Sequence, residues 1–398
     1  MKPTVKIGSL LLAVVMVFSA IFATGCSMSK EWSYKTKDKE LAIGVYIYCL
    51  NLAFQQAQTK AKELDDYDGT NDKWLDLEIT DDDGETAVAR QWIKDKAQKN
   101  CLQFLAVEQA MKTEGASVDE ATQQAADEQA KTYWEVGQYA NYGYVMPMSK
   151  ELEPHGISYD SFRYCTSQYS ANSTALFNAL YQEGGSQAVS DSELQDYFVE
   201  NYSDYSYIPV QLYEASTDEA GQSTDVALSE DKVKEYTDEL EGYAKDIKDD
   251  ESYEAAVSAY MEKHDIADNP GVDNVEQTEN ISAGDELKAA IEKLDDFKAT
   301  TVKVGDGNTA MLYLVYKRSI KDSAKGYLES ESNRYGVLTA MKTEDFEAYI
   351  DKLVEDLQYE KNAVVDGYDP KMFFVAEQPT TTAETTSAEG EESSAAEG

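Results

Sequence analysis

Histidine is almost missing from this sequence: two occur in 398 residues, His155 and His264. Cysteine is scarce as well, at Cys26, Cys49, Cys101 and Cys165. There is no CxxC pair and no histidine near a cysteine, which excludes zinc-ribbon and thioredoxin chemistry. Cys49, Cys101 and Cys165 each sit among apolar residues at helical spacing and read as small buried hydrophobes. No GxSxG, HExxH, P-loop or GxGxxG stretch occurs, and strands do not alternate with helices. A doubly wound sheet and a two-lobed solute-binding architecture are therefore excluded. Positive charge is short: 35 basic residues face 76 acidic ones, for a net charge of −41. Nucleic acid and anionic lipid headgroups repel such a chain, so neither is a partner; the acidity suits the solubility of an exported protein. The acidic stretches "LDDYDGTND", "ITDDDGETAVAR" and "VGDGNTAM" lack the glutamate that an EF-hand needs at loop position twelve, and read as solvated turns. No metal and no cofactor is expected.

What is present begins with an address. Lys2 and Lys6 precede an apolar run from Ile7 to Ala23, and small residues then lead to Cys26. This is the pattern of a secretory signal, or of an uncleaved anchor with the same orientation. Ala23-Thr24-Gly25-Cys26 resembles a bacterial lipoprotein lipobox, with Ala23 where leucine is more usual. The resemblance implies a signal peptide over residues 1–25 and lipidation of Cys26. The chain would then be extracytoplasmic and held at the cell membrane by its lipid anchor. Each buried acyl CH₂ adds about 0.8 kcal/mol of membrane affinity, so one multiply acylated cysteine suffices.

Helical periodicity dominates the chain beyond Cys26. Trp32–Lys39 reads as a strand and turn. Ile43, Ile47, Leu50, Phe54, Ala57, Ala61 and Leu64 form one face of a long helix. A polar loop runs to about Gly84, and a second helix covers Glu85 to Thr113. Ser117 and Glu120, at capping-box spacing, open a third; a fourth covers Ser158 to Tyr181. Ser190 and Glu193 make a clearer capping box, with Val189 and Leu194 at staple positions. The pattern then changes. Tyr205–Tyr213 reads as a strand, helices are expected over Ser229–Lys248 and Ser252–Lys263, and a short one over Asp285–Leu294. The stretch "TTVKVGDGNTAMLYLVYK" reads as a hairpin turning at Gly305–Asn308. Helix resumes near Ser323, with Thr343 capping a final piece that turns Phe346, Ile350, Leu353 and Leu357 inward. Residues 376–398 hold no large apolar side chain and no positive charge, and are expected to be disordered.

The order of these elements resembles the extracytoplasmic PrsA/SurA foldases. The matching stretches are "WSYKTKDKELAIGVYIYCL", "EGGSQAVSDSELQDYFVENY" and "KTEDFEAYIDKLVEDL". The resemblance implies a mainly α fold with a small α+β domain. A helical chaperone body would be built from N- and C-terminal helices around an inserted parvulin-like domain. The expected boundaries are 26–203 for the N-terminal helical domain, 204–320 for the parvulin-like domain, 321–375 for the returning helices and 376–398 for the tail. Parvulins carry one histidine in the first strand of that domain and a second in the last. Here the first strand offers Tyr205 and Tyr207, and the last, "TAMLYLVYK", has no histidine. No catalytic residue is assigned, and the domain is read as inactive.

One aromatic cluster stands apart, "YWEVGQYANYGYVMPM". Tyr133, Trp134, Tyr139, Tyr142, Tyr144, Met146 and Met148 offer amphipathic and adaptable contact area near a helix end, which suits loose binding of polypeptide. The function expected is that of a membrane-anchored chaperone for unfolded or nascent exported polypeptides. The alternatives are an active prolyl cis–trans isomerase and a structural cell-surface lipoprotein without chaperone activity.

Overall fold

The structure, a computed structural model, describes residues 31–82, 84–217, 223–281 and 284–377. The signal segment with Cys26 lies outside them, as does the acidic tail from residue 378. The chain is mainly α-helical with a small α+β portion, as its periodicity implies. It divides into two compact units, one formed by residues up to 176 together with those from 349 onward, the other by residues 177–348.

In the first unit, β1 (Trp32–Lys35) and β2 (Glu40–Ala42) pair antiparallel and lead directly into α1 (Ile43–Ala61). The residues spaced three and four apart along α1, from Ile43 to Ala61, are buried. The stretch expected to be loop holds a hairpin, β3 (Glu78–Thr80) with β4 (Thr86–Val88). Its three-residue strands are too short to show alternation in sequence, though Ile79 is fully buried. Because β4 occupies residues 86–88, α2 begins at Ala89 and runs to Thr113.

The next helix, α3 (Glu120–Glu135), corrects the cap expected at Ser117. Asp119 is the N-cap: its extended backbone lets the carboxylate accept the Thr122 N–H at 2.9 Å and the Thr122 hydroxyl at 2.5 Å. After α4 (Met148–Leu152), Ser158 caps α5 (Tyr159–Arg163). One π turn over Tyr164–Gln168 then passes into α6 (Tyr169–Tyr181), so the expected fourth helix carries a local widening.

In the second unit, the expected capping box opens α7 (Asp191–Asn201), with Ser190 and Glu193 each capping the other's backbone N–H. Then come β5 (Tyr202–Gln211), β6 (Tyr213–Thr217), β7 (Ser223–Ala227), α8 (Glu230–Asp246) and α9 (Asp250–His264). These are followed by β8 (Val272–Gln277), α10 (Asp285–Lys293), β9 (Lys298–Val304), β10 (Met311–Lys317) and α11 (Ile320–Leu328). The sheet is antiparallel in the order β8-β5-β10-β9, and β6 and β7 form a separate ribbon. Alternation sorts the two central strands. Ile208, Val210, Leu312, Leu314 and Tyr316 pack with α8 and α9, while Tyr205 and Val315 pack with Leu287 and Ile291 of α10.

Pro209 sits in the middle of β5 without breaking the ladder. Asp204 and Leu212 hydrogen-bond to Arg318 and Ala310, so the even-numbered residues of β5 bond toward β10. Pro209 therefore turns its missing N–H toward β8, whose pairing ends at Tyr207. At the end of β10, Arg318 binds Asp250 at 2.6 Å, Asp273 at 3.0 Å and Asp204 at 3.3 Å, tying β5, β8 and α9 together.

The last long helix is α12 (Glu331–Glu355), and it corrects the cap expected at Thr343. With no glycine or proline nearby to end a helix, Thr343 lies mid-helix and its hydroxyl donates to the Thr339 carbonyl at 2.8 Å. The chain then forms β11 (Glu360–Lys361), which pairs with β1. Leu357, Val365 and Phe373 join the core that α1 and α2 build in the first unit.

Candidate functional site

The aromatic cluster is divided by the end of α3. Trp134, on the last turn, points inward; its ring lies 5.4 Å from Phe162 and 5.9 Å from Tyr159. Tyr133 and Met148 are half-buried against the same core, and the Gln129 amide donates to the Tyr133 hydroxyl at 3.0 Å. The four other residues singled out in the sequence lie on the loop between α3 and α4 and are exposed: Tyr139, Tyr142, Tyr144 and Met146, by 47, 78, 64 and 63%. Val145, at 69%, belongs with them. Sequence reasoning passes it over, although its place between Tyr144 and Met146 is an available signal.

The loop has a closed neck. Met146 N–H donates to the Val136 carbonyl at 2.7 Å, across from Gly137. Gly137 has φ +111°, and a Cβ there would fall 2.2 Å from the Met146 carbonyl oxygen, so only glycine fits. At the tip, Ala140–Tyr142 make one 3₁₀ turn that ends at Gly143 with φ +80°. The result is a pinned loop with large apolar side chains directed into solvent. Beside its neck is a groove of about 390 Å³, lined by Tyr139, Val145, Met146, Met148, Lys150 and Glu151 among others. The two charged residues of the groove, Lys150 and Glu151, are exposed, so its lining holds no buried acid or base. Its chemistry is reversible burial of apolar area.

The tyrosines of the first sheet strand, Tyr205 and Tyr207, lie elsewhere, on the α10 side of the sheet. Tyr205 is 1% exposed there, and its hydroxyl donates to the Glu276 carboxylate. Burial, reinforced by that carboxylate, pushes the Tyr205 phenol well above its ordinary pKa. It stays protonated and can donate a hydrogen bond but cannot act as a base. Tyr207 stacks on Tyr205 at 6.1 Å and meets the half-buried Tyr313 of β10 edge to face at 5.3 Å. Neither histidine is on these strands. His264 ends α9, with Nε2 3.0 Å from Glu239 and its ring 4.4 Å from Tyr260. His155 lies in the first unit, 4.8 Å from the Phe373 ring.

Cys49, Cys101 and Cys165 are buried, unpaired and part of one core. Burial pushes the Cys101 and Cys165 thiols up, which keeps them protonated and unreactive. Spacing along one helix could not reveal that three separate segments bring them together. Among the described residues, no group of three or more His, Cys, Asp or Glu side chains is arranged to hold a metal ion. No described helix is long and apolar enough to cross a membrane.

No family model matches this chain, and no curated protein matches it. Among solved structures it is similar to the crystal structure of foldase protein PrsA from Streptococcus pneumoniae. The identity is 11% and the TM-score 0.36, over 75% of this chain and 100% of that one.

Proposed function

We propose that this protein is an extracytoplasmic folding factor, lipid-anchored at Cys26, that holds exported polypeptides through the loop Tyr139–Met146. One observation carries the reading: five large apolar side chains on one short loop are exposed while the helices beside it bury theirs. A pinned loop that keeps tyrosine, valine and methionine in solvent forgoes the stabilisation their burial would bring, which is the pattern of a binding surface. Tyrosine supplies rigid amphipathic area and methionine an adaptable one, so many sequences can be accepted weakly. Without a nucleotide to drive release, such contacts must exchange quickly. The sheet unit is read as lacking isomerase activity, because tyrosines stand where the resemblance calls for histidines.

The test is suppression of aggregation as a denatured client is diluted into buffer. Replacing Tyr142, Tyr144 and Met146 by serine should abolish most of the protection while leaving the thermal transition in place. Full protection by that variant would remove the loop from the function. Prolyl exchange in a proline peptide takes tens of seconds unaided, so weak catalysis is measurable. Acceleration at micromolar protein would overturn the inactive reading of the sheet unit.

A further inference from the structure

Sulfur is divided unevenly between core and surface. Cys49, Cys101 and Cys165 are buried. Met111 is buried too, and Met148, Met261, Met311, Met341 and Met372 are half-buried. Met146 is 63% exposed, the one methionine among the described residues that stands in solvent. Its backbone keeps it there. The Met146 N–H is held by the Val136 carbonyl, and the Met146 carbonyl lies against Gly137, where no Cβ fits. Pro147 follows and restricts Met146 to extended backbone. Met148 shares the groove with Met146 but packs against the core. The most accessible thioether of the described chain therefore lies on the surface proposed to hold polypeptide.

We infer that Met146 is an oxidation site, and that its oxidation loosens the hold of the loop on polypeptide. The second half rests on the reading of the loop as a polypeptide site. The oxidant is a peroxide, hydrogen peroxide in the simplest case. The Met146 sulfur attacks one peroxide oxygen, and an S–O bond forms as the O–O bond breaks. The proton on the transferred oxygen passes to the departing hydroxide, leaving a sulfoxide and water. Sulfur is oxidised and the peroxide reduced. The product replaces a flexible apolar side chain with a polar one. A polypeptide closing over it must bury an unpaired oxygen or give up that contact. Leucine would offer similar apolar area with no reactive sulfur, so methionine is what makes the loop sensitive. Met146 is not part of the core that Trp134 and Met148 join, so its oxidation alters the surface and spares the fold.

The test treats the full mature chain with hydrogen peroxide and follows each methionine over time by peptide mass spectrometry. Anisotropy of a labelled apolar peptide and thermal melting are read on the same samples. Met146 should gain its oxygen before the other described methionines. Peptide affinity should then fall about tenfold, the scale of burying one unpaired polar group, while the melting temperature holds. Met146→Leu should bind like the parent and keep its affinity through the same treatment. Earlier oxidation of Met148 or of a core methionine would overturn the site. An equal loss of affinity in treated Met146→Leu would place the sensitive group elsewhere and overturn the assignment. So would a melting temperature that falls with the affinity, since the fold and not the surface would then be responding. Undiminished binding by protein oxidised at Met146 would overturn the effect alone if untreated Tyr142→Ser with Tyr144→Ser binds poorly. If that untreated variant binds like the parent, the reading of the loop falls, and the effect on binding with it.

Discussion

Two tyrosine-rich stretches of this chain have similar compositions and opposite fates. "YANYGYVM" (139–146) keeps its tyrosines in solvent; "YSDYSYIPV" (202–210) turns Tyr205 into a core and half-buries Tyr207. The difference is periodicity. In β5 the step of two places Tyr205 and Tyr207 on one face, which α10 covers. In the loop, the positive φ angles at Gly137 and Gly143 interrupt any regular repeat, and the neck closes before the tip meets a partner. Composition sets what a tyrosine can do, and the local backbone decides whether it stabilises the fold or remains available.

The largest effect expected from this comparison is on stability. Tyr205→Ala empties a buried aromatic site and should cost about 3–5 kcal/mol. Tyr142→Ala removes a ring that touches little and should stay within about 0.5 kcal/mol. Denaturant titration of both variants measures the contrast, and similar losses would break it.

Charge sharpens the comparison. Glu151 and Glu153, near the loop, are exposed, whereas the sheet unit buries carboxylates, Glu239 among them: its side chain is 6% exposed between α8 and α9. Burial pushes its carboxyl up. Hydrogen bonds from Lys263 at 2.8 Å, His264 at 3.0 Å and Tyr243 at 3.1 Å outweigh that and hold it below the usual carboxylate range. With the folded pKa the lower one, this stabilisation is complete above the unfolded value of about 4.3 and is lost as pH falls through the folded value. Glu239→Gln should therefore cost about 1–3 kcal/mol at neutral pH. It should also lose less than the parent on acidification below about pH 4, where the unfolded carboxyl protonates first. Thermal melts across pH decide this; parallel acid profiles would show that Glu239 is not linked to folding.

The long helices, the sheet hairpin and the Ser190–Glu193 cap were legible in the sequence because each repeats a signal over several residues. The three-residue strands β3 and β4 were not, since alternation needs more positions than they have. The cysteines could be read as buried, but their meeting depends on three segments packing together. The seven-residue aromatic cluster was legible as a cluster. What composition could not give was the division at the end of α3, because Trp134 follows the helical repeat inward and the residues after Gly137 have no repeat to follow.

The smallest effect concerns the two helices that deliver these tyrosines, α3 before the loop and α7 before β5. Both begin near a serine followed three residues later by glutamate, Ser117 with Glu120 and Ser190 with Glu193. Only the second pair is a capping box: Ser190 Oγ accepts the Glu193 N–H at 3.2 Å, and the Glu193 carboxylate accepts the Ser190 N–H at 2.9 Å. In the first, Asp119 stands closer to the helix and takes the role, leaving Ser117 outside. Ser190→Ala and Asp119→Ala should each cost about 1 kcal/mol, as lost N-caps do. Ser117→Ala should stay within about 0.5 kcal/mol, as surface changes away from such features do. Client protection adds a second readout. The loop is closed by the Val136–Met146 hydrogen bond at the far end of α3, so fraying that helix's first turn should not open it. Asp119→Ala should then lower the melting temperature and still suppress aggregation. A variant that melts like the parent yet no longer protects its client would mean that the conformation of the loop is set from the start of α3, and that its neck is not what keeps the tyrosines in solvent.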